Sequence, residues 1–149
     1  MMKIGIASDH RGFDKKEEIK NKLKALNIET VDCGTNSIES TDFPIYALKL
    51  GQKIKDQEVD FGLAICKTGT GMSIALNKIR GIMCAKVNNY EEAVLAKEHN
   101  HANALAISAD LATEDILKML DGYIKAQALN DEKYLRRIKQ IEAIENNEY

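Results

Sequence analysis

No apolar run in this chain approaches the ~18 residues that a membrane span requires, so no membrane partner is expected. Positive charge is not in excess either. Lys plus Arg number 21 against 23 Asp plus Glu, a formal balance of −2. That removes the basic face expected of a nucleic-acid partner and gives no electrostatic reason to seek a membrane surface. Cysteine is scarce: Cys33, Cys66 and Cys84 form an odd, widely spaced set. There is no Cys-x-x-Cys pair and no zinc-type Cys/His spacing, which argues against a disulfide frame and a structural metal and for reduced thiols in the cytoplasm. Internal repeats, low-complexity tracts and linkers are also missing. What remains is 149 residues with 44% apolar and 30% charged side chains. That suits one soluble domain over residues 1–149 with a sizeable core.

Taken in order, short apolar runs alternate with amphipathic stretches. Lys3 to Ser8 reads as a strand, too short in its apolar part for a signal peptide. Asp9-His10-Arg11-Gly12 is the turn after it. A helix over 13–26 follows, with Phe13, Ile19, Leu23 and Leu26 as its apolar stripe. A strand over 29–33 and a polar loop over 34–41 come next. Asp42 reads as an N-cap with Pro44 in the first turn of a helix running to about 57. Residues 61–65 form a third strand and 81–86 a fourth. Asn88-Asn89 opens a helix that His99-Asn100-His101 ends. A fifth strand spans 103–108, and Thr113 caps a further helix. A last, charged helix over about 131–144 carries only the narrow stripe Leu135, Ile138 and Ile141. Strict alternation predicts an α/β fold: a three-layer α/β/α sandwich around a five-stranded parallel, Rossmann-like sheet, with a C-terminal helix. Right-handed crossovers place the turns after the strands on one sheet edge, where open α/β proteins bind ligands.

The stretch from Asp60 to Lys78 organises this pattern. Phe61 to Ile65 fills a strand buried on both faces. Cys66-Lys67-Thr68-Gly69-Thr70-Gly71 breaks it, and Met72, Ala75, Leu76 and Ile79 recur at helical spacing. A thiol thus stands at the strand's carboxyl end, with a hydroxyl two residues on and glycines that admit a ligand to the backbone. Positive potential at a helix start favours a thiolate and stabilises charge that develops during a reaction. The turn is neither of two common nucleotide motifs. Gly-x-x-x-x-Gly-Lys-Ser is absent, and Ile74 stands where a dinucleotide fingerprint needs its third glycine.

Each candidate has a plainer reading. A strand cysteine is commonly core, and Cys33 and Cys84 are assigned there; the setting of Cys66 favours function. Asp9-His10 could be a capped turn, His99 could satisfy helix-end carbonyls, and Lys133, Arg136, Arg137 and Lys139 form, by default, a solvated helix face. His99 and Asn100 precede the fifth strand, on the edge opposite the Cys66 turn. For His99 to act in that site, a second subunit has to deliver it.

Several motifs run in register from Lys3 to about Ile141. They are Ser8-Asp9-His10 with Gly12-Phe13, Asp32-Cys33-Gly34-Thr35, Asp42-Phe43-Pro44, Cys66-x-Thr-Gly-x-Gly-Met-Ser-Ile-Ala-x-Asn-Lys, and Glu98-His99-Asn100-x-Ala-Asn103. In that combination the chain resembles the type B ribose-5-phosphate isomerases, a family that also holds allose-6-phosphate and galactose-6-phosphate isomerases. The resemblance implies an aldose–ketose isomerase working through an enediolate, without metal or organic cofactor. By it, Cys66 is the base that moves a proton between C1 and C2. Thr68 and the backbone of Gly69, Thr70 and Gly71 hold the oxyanion. His99, assisted by Asp9, opens the sugar ring, and Asn100 holds sugar oxygens. His10 and basic side chains including Lys133 and Arg137 bind phosphate. The implied assembly is a homodimer with shared sites, or a dimer of such dimers, with the C-terminal helix packed on the partner. Ala75 sets aside the branch of the family that uses a glutamate there.

The chain departs from that pattern at charged positions. The family usually has glycine at Lys67, arginine at Lys133 and Asp110, alanine at Arg11 and histidine at Tyr134. Phosphate-binding charge is therefore expected to be redistributed, with Arg11 or Lys67 replacing part of it. The alternatives are a six-carbon sugar-phosphate isomerase such as one for allose 6-phosphate, a sugar-phosphate or nucleotide binding module without chemistry, and a purely structural subunit.

Overall fold

Five strands and six helices alternate along the chain in the computed structural model, which describes residues 2–149. They are β1 (Lys3–Ser8), α1 (Phe13–Ala25), β2 (Glu29–Asp32), α2 (Phe43–Lys55), β3 (Phe61–Cys66), α3 (Thr70–Asn77), β4 (Cys84–Lys86), α4 (Tyr90–Asn100), β5 (Ala104–Ser108), α5 (Thr113–Lys125) and α6 (Glu132–Glu145). The strands form one parallel sheet in the order β2-β1-β3-β5-β4. β3 lies in the middle and is buried at every position, as its unbroken apolar run requires of a strand covered on both faces. The order reverses direction between β1 and β3, the switch point at which open α/β sheets leave a crevice beyond their carboxyl ends.

The core divides with the pleat, because successive side chains leave a strand on opposite faces. Ile4, Ile6, Leu63, Ile65, Leu105 and Ile107 pack with Ile19 and Leu23 of α1, Ala93 of α4, and Ile116 and Leu120 of α5. Ala7, Ala64, Cys66 and Ala106 pack on the other face with Leu50 of α2 and Met72 and Leu76 of α3. The three expected layers are present. α6 stands apart from them: it has no buried residue, and Leu135, Ile141 and Ile144 are exposed.

Several sequence expectations shift locally, each for a physical reason. β4 starts at Cys84, because Asn side chains take the backbone groups ahead of it: Asn103 accepts from Met83 N–H (2.8 Å) and donates to the Gly81 carbonyl (3.0 Å). Asn77 similarly brackets Cys84, at 2.8 and 2.9 Å. The N-cap of α5 is Ala112, not Thr113; the Thr113 hydroxyl instead accepts from Lys15 Nζ at 3.0 Å. Asp42 is the N-cap of α2 but makes no side-chain capping bond. On α1, Leu26 lies past the helix and is exposed, while Lys16 occupies the inward stripe at 1% exposure. Its ammonium is held by Asp32 at 2.6 Å and Glu17 at 2.7 Å, which ties α1 to β2.

Candidate functional site

Parallel pairing sets Cys66 beside Ser108 and Ile65 beside Ser8. The turns after β1, β3 and β5 therefore leave the sheet together. Between the first two lies an open cavity of about 310 Å³ lined by Asp9, His10, Arg11, Phe43, Cys66, Lys67, Thr68 and Gly71. Cys66 is only 5% exposed, yet it forms part of this wall. Apolar residues surround it on the sheet side and the polar turn covers the other.

The turn itself is a compact backbone device. Gly69 is the N-cap of α3 with φ +85°, in the left-handed region. A Cβ there would stand 3.0 Å from the Ile107 carbonyl carbon, and one on Gly71 would stand 2.9 Å from the Phe43 ring. Glycine is thus needed twice, for conformation and for space. Thr68 Oγ1 accepts from Thr70 N–H at 3.2 Å. The first backbone bond back into the turn is Ser73 N–H to Gly69 C=O at 3.0 Å, so the Gly71 and Met72 N–H groups sit ahead of it at the positive end of the helix.

Asp9 and His10 both hold backbone amides beside the cavity. Asp9 Oδ1 accepts from Arg11 N–H at 3.0 Å and Gly12 N–H at 3.1 Å, closing the turn into α1. His10 Nδ1 accepts from Thr41 N–H at 3.2 Å. An imidazole that accepts through Nδ1 carries its proton on Nε2, so the ring is set as a donor. Thr41 is itself held by Tyr46, hydroxyl to hydroxyl, at 2.9 Å. Lys67 turns its ammonium onto both oxygens of Asp110, at 3.0 and 2.9 Å.

The remaining candidates lie elsewhere. Ala104 pairs with Gly62, and Asn100 precedes Ala104 in the chain. His99 and Asn100 therefore sit beyond the end of β3 away from Cys66. The four residue steps from Gly62 to Cys66 alone amount to ~13 Å of strand. His99 stacks on Tyr134 of α6, with ring centroids 4.8 Å apart. Lys133 Nζ lies 5.0 Å from the same Tyr134 ring, and Arg137 is exposed one turn further along α6. Asn100 lines a separate cavity of about 350 Å³ with Asn77, Met83, Cys84 and Ile141. One chain thus carries two polar groups of residues on opposite edges of its sheet.

Sequence reasoning gave no site role to Phe43, which enters there as the start of α2 and within the Asp42-Phe43-Pro44 motif, nor to the Thr41 amide on His10, which no side-chain pattern announces. The residues of the cavity present a thiol, a threonine hydroxyl, an imidazole N–H and helix-start amides around one space. That set can move a proton at a carbon next to a carbonyl and stabilise the oxyanion that results. Among the described residues, no three His, Cys, Asp or Glu side chains converge as a metal set.

A profile of the family described as Ribose/Galactose Isomerase matches residues 4–141. Ribose-5-phosphate isomerase B of Escherichia coli is 38% identical over 146 residues, 97% of each chain. The ribose-5-phosphate isomerase B structure from Clostridium thermocellum superposes with a TM-score of 0.93 at 39% identity, over 99% of this chain and 100% of that one. The Mycoplasma genitalium enzyme of the same name, solved with bound ribulose 5-phosphate, superposes with a TM-score of 0.88 at 34% identity, over 97% of each chain.

Proposed function

The chain belongs to the ribose/galactose isomerase family, and from that premise we propose that it interconverts ribose 5-phosphate and ribulose 5-phosphate with Cys66 as the base. It is an aldose–ketose isomerase of the ribose-5-phosphate isomerase B type. The observation that carries the assignment of the base is the position of Cys66 on the wall of the cavity, at the foot of the helix-start amides.

In the open-chain aldose, the Cys66 thiolate removes the proton from C2. The C2–H electron pair forms the C1–C2 double bond, and the carbonyl pair moves onto O1. Gly71 and Met72 N–H and the Thr68 hydroxyl stabilise that oxygen. The O2 proton passes to O1, the carbonyl re-forms at C2, and the thiol returns its proton to C1. Atoms and electrons balance with no cofactor. A base near its working pH and fixed dipoles at the developing charge are the two requirements of this step.

His10, through Nε2–H, binds the phosphate together with Arg11 and Lys67. His99, Asn100, Lys133 and Arg137 belong to the same site only if a second copy brings them across. The proposed assembly is accordingly a cytoplasmic homodimer with shared sites, in which the exposed apolar stripe of α6 packs against the other subunit. His99 then opens the furanose ring with Asp9, and Asn100 holds sugar oxygens.

A side-by-side turnover assay with ribose 5-phosphate and allose 6-phosphate tests the substrate. The expected result is efficient conversion of the pentose phosphate. Preference for allose 6-phosphate, or turnover of neither, contradicts the proposal.

A further inference from the structure

Lys67 is on the cavity wall, but its charge is not free. Its ammonium meets both oxygens of Asp110, at 3.0 and 2.9 Å, and Asp110 itself is not part of that wall. The pair is pre-aligned by one hydroxyl. Ser108 Oγ donates to the Lys67 carbonyl at 2.7 Å and accepts from Asp110 N–H at 3.0 Å. Ala109 N–H adds a bond to the Cys66 carbonyl at 2.9 Å. The backbones bearing the two charges are thus held side by side, which puts the two side chains within reach of each other. Both side chains remain more than half exposed, at 56% and 65%, which keeps the pair weak and exchangeable. Arg11, the other cation on the wall, enters none of the ion pairs among the described residues.

We propose that Asp110 is an affinity-determining residue: it competes with the substrate's phosphate for Lys67, and the anion binds by displacing it. The inference rests on the function proposed above and adds to it a built-in competitor that lowers affinity for the anion. Three features support it. The ammonium has a tether long enough to turn from Asp110 into the cavity. A phosphate dianion offers Lys67 more charge than a carboxylate does. The pair is too exposed to be a structural necessity, so stability alone does not account for it.

Calorimetric binding of inorganic phosphate to the native protein and to Asp110→Asn, Lys67→Met and the double variant tests the proposal. Asp110→Asn is expected to tighten phosphate binding by about two- to fivefold, the range that an exposed pair supports. The KM for ribose 5-phosphate should fall by a similar factor with kcat within about twofold of native. In the Lys67→Met background the same change should have no effect. That last arm separates competition for Lys67 from the general field of a nearby carboxylate, which would persist without the lysine. Unchanged or weaker binding in Asp110→Asn, an equal gain with Lys67 removed, or no phosphate binding by the native protein overturns the inference. Native protein that binds phosphate and shows the gain, but turns over no pentose phosphate, contradicts the proposed function alone.

Discussion

The His99 ring lies against the Tyr134 ring, centroids 4.8 Å apart and planes 10° from parallel. This contact joins the last turn of α4 to the first turn of α6, on the sheet edge away from Cys66. A histidine fixed there has no route to the thiol of its own chain. Lys133, whose Nζ lies 5.0 Å from the Tyr134 ring, and Arg137 further along α6 follow on the same helix.

The proposed sharing of sites between subunits makes a complementation prediction. Cys66→Ala and His99→Asn should each be inactive as purified homodimers. Mixed, dissociated and reassembled in equal amounts, they should recover about a quarter of native activity, since half the dimers are mixed and each holds one intact site. Activity that stays at the level of the separate variants contradicts the sharing.

Gly69→Ala should damage the turn from within. The left-handed φ of +85° costs an L-residue about 1–2 kcal/mol, and the added carbon meets Ile107 backbone at 3.0 Å. The midpoint of urea unfolding should fall accordingly, and kcat should fall with it because the helix-start amides move. An unchanged midpoint contradicts this account of the turn.

Acid stability should depend on Asp32. Burial raises the pKa of its carboxyl, but hydrogen bonds from the Lys16 and Lys20 ammonium groups and from Gly34 N–H outweigh it, holding the carboxyl below its ordinary 3.8. A carboxyl depressed in the folded state stabilises the fold above its unfolded pKa and loses that contribution as pH falls through the folded value. Native protein should therefore lose stability below about pH 4 more steeply than Asp32→Asn. At neutral pH the variant should be weaker by about 1 kcal/mol, because Lys16 keeps Glu17 and the Asp32 side of the pair is partly exposed to solvent. Parallel stability curves for the two proteins from pH 5 to pH 2 would contradict the assignment.

The three thiols should differ in reactivity. Burial pushes Cys84 up to about 12 and raises Cys33 as well, so neither forms appreciable thiolate at pH 8. All three thiols border cavities, so access does not separate them; Cys66 alone stands just ahead of a helix start. Iodoacetamide at pH 8 followed by peptide mass spectrometry should label Cys66 first, and ribose 5-phosphate should protect it. Earlier labelling of Cys84 contradicts this order.

Much of this was legible in the residues. The run Phe61 to Ile65 reads as a doubly covered strand, and the glycine turn after it as the entry to a helix. Alternation of such runs carried the sheet, the site edge and the displacement of His99 from Cys66. Contacts that depend on how far a side chain reaches were not legible. A lysine at position 16 reads as solvated until Asp32 and Glu17 are seen around it. Lys67 and Asp110 are 43 positions apart and meet only because β3 and β5 are neighbours. Phe43 reads as a helix start until its ring lies over Gly71. The Thr41 amide on His10 has no side-chain signature at all.

The central claim is that the Cys66 sulfur takes and returns the migrating proton. The direct measurement is the kcat of Cys66→Ala with ribose 5-phosphate, taken on protein whose phosphate binding matches native. A general base of this kind contributes ~10²–10⁴ in rate, so kcat should fall by at least about a hundredfold with binding retained. A kcat within about tenfold of native, below the least that such a base supplies, would contradict the account.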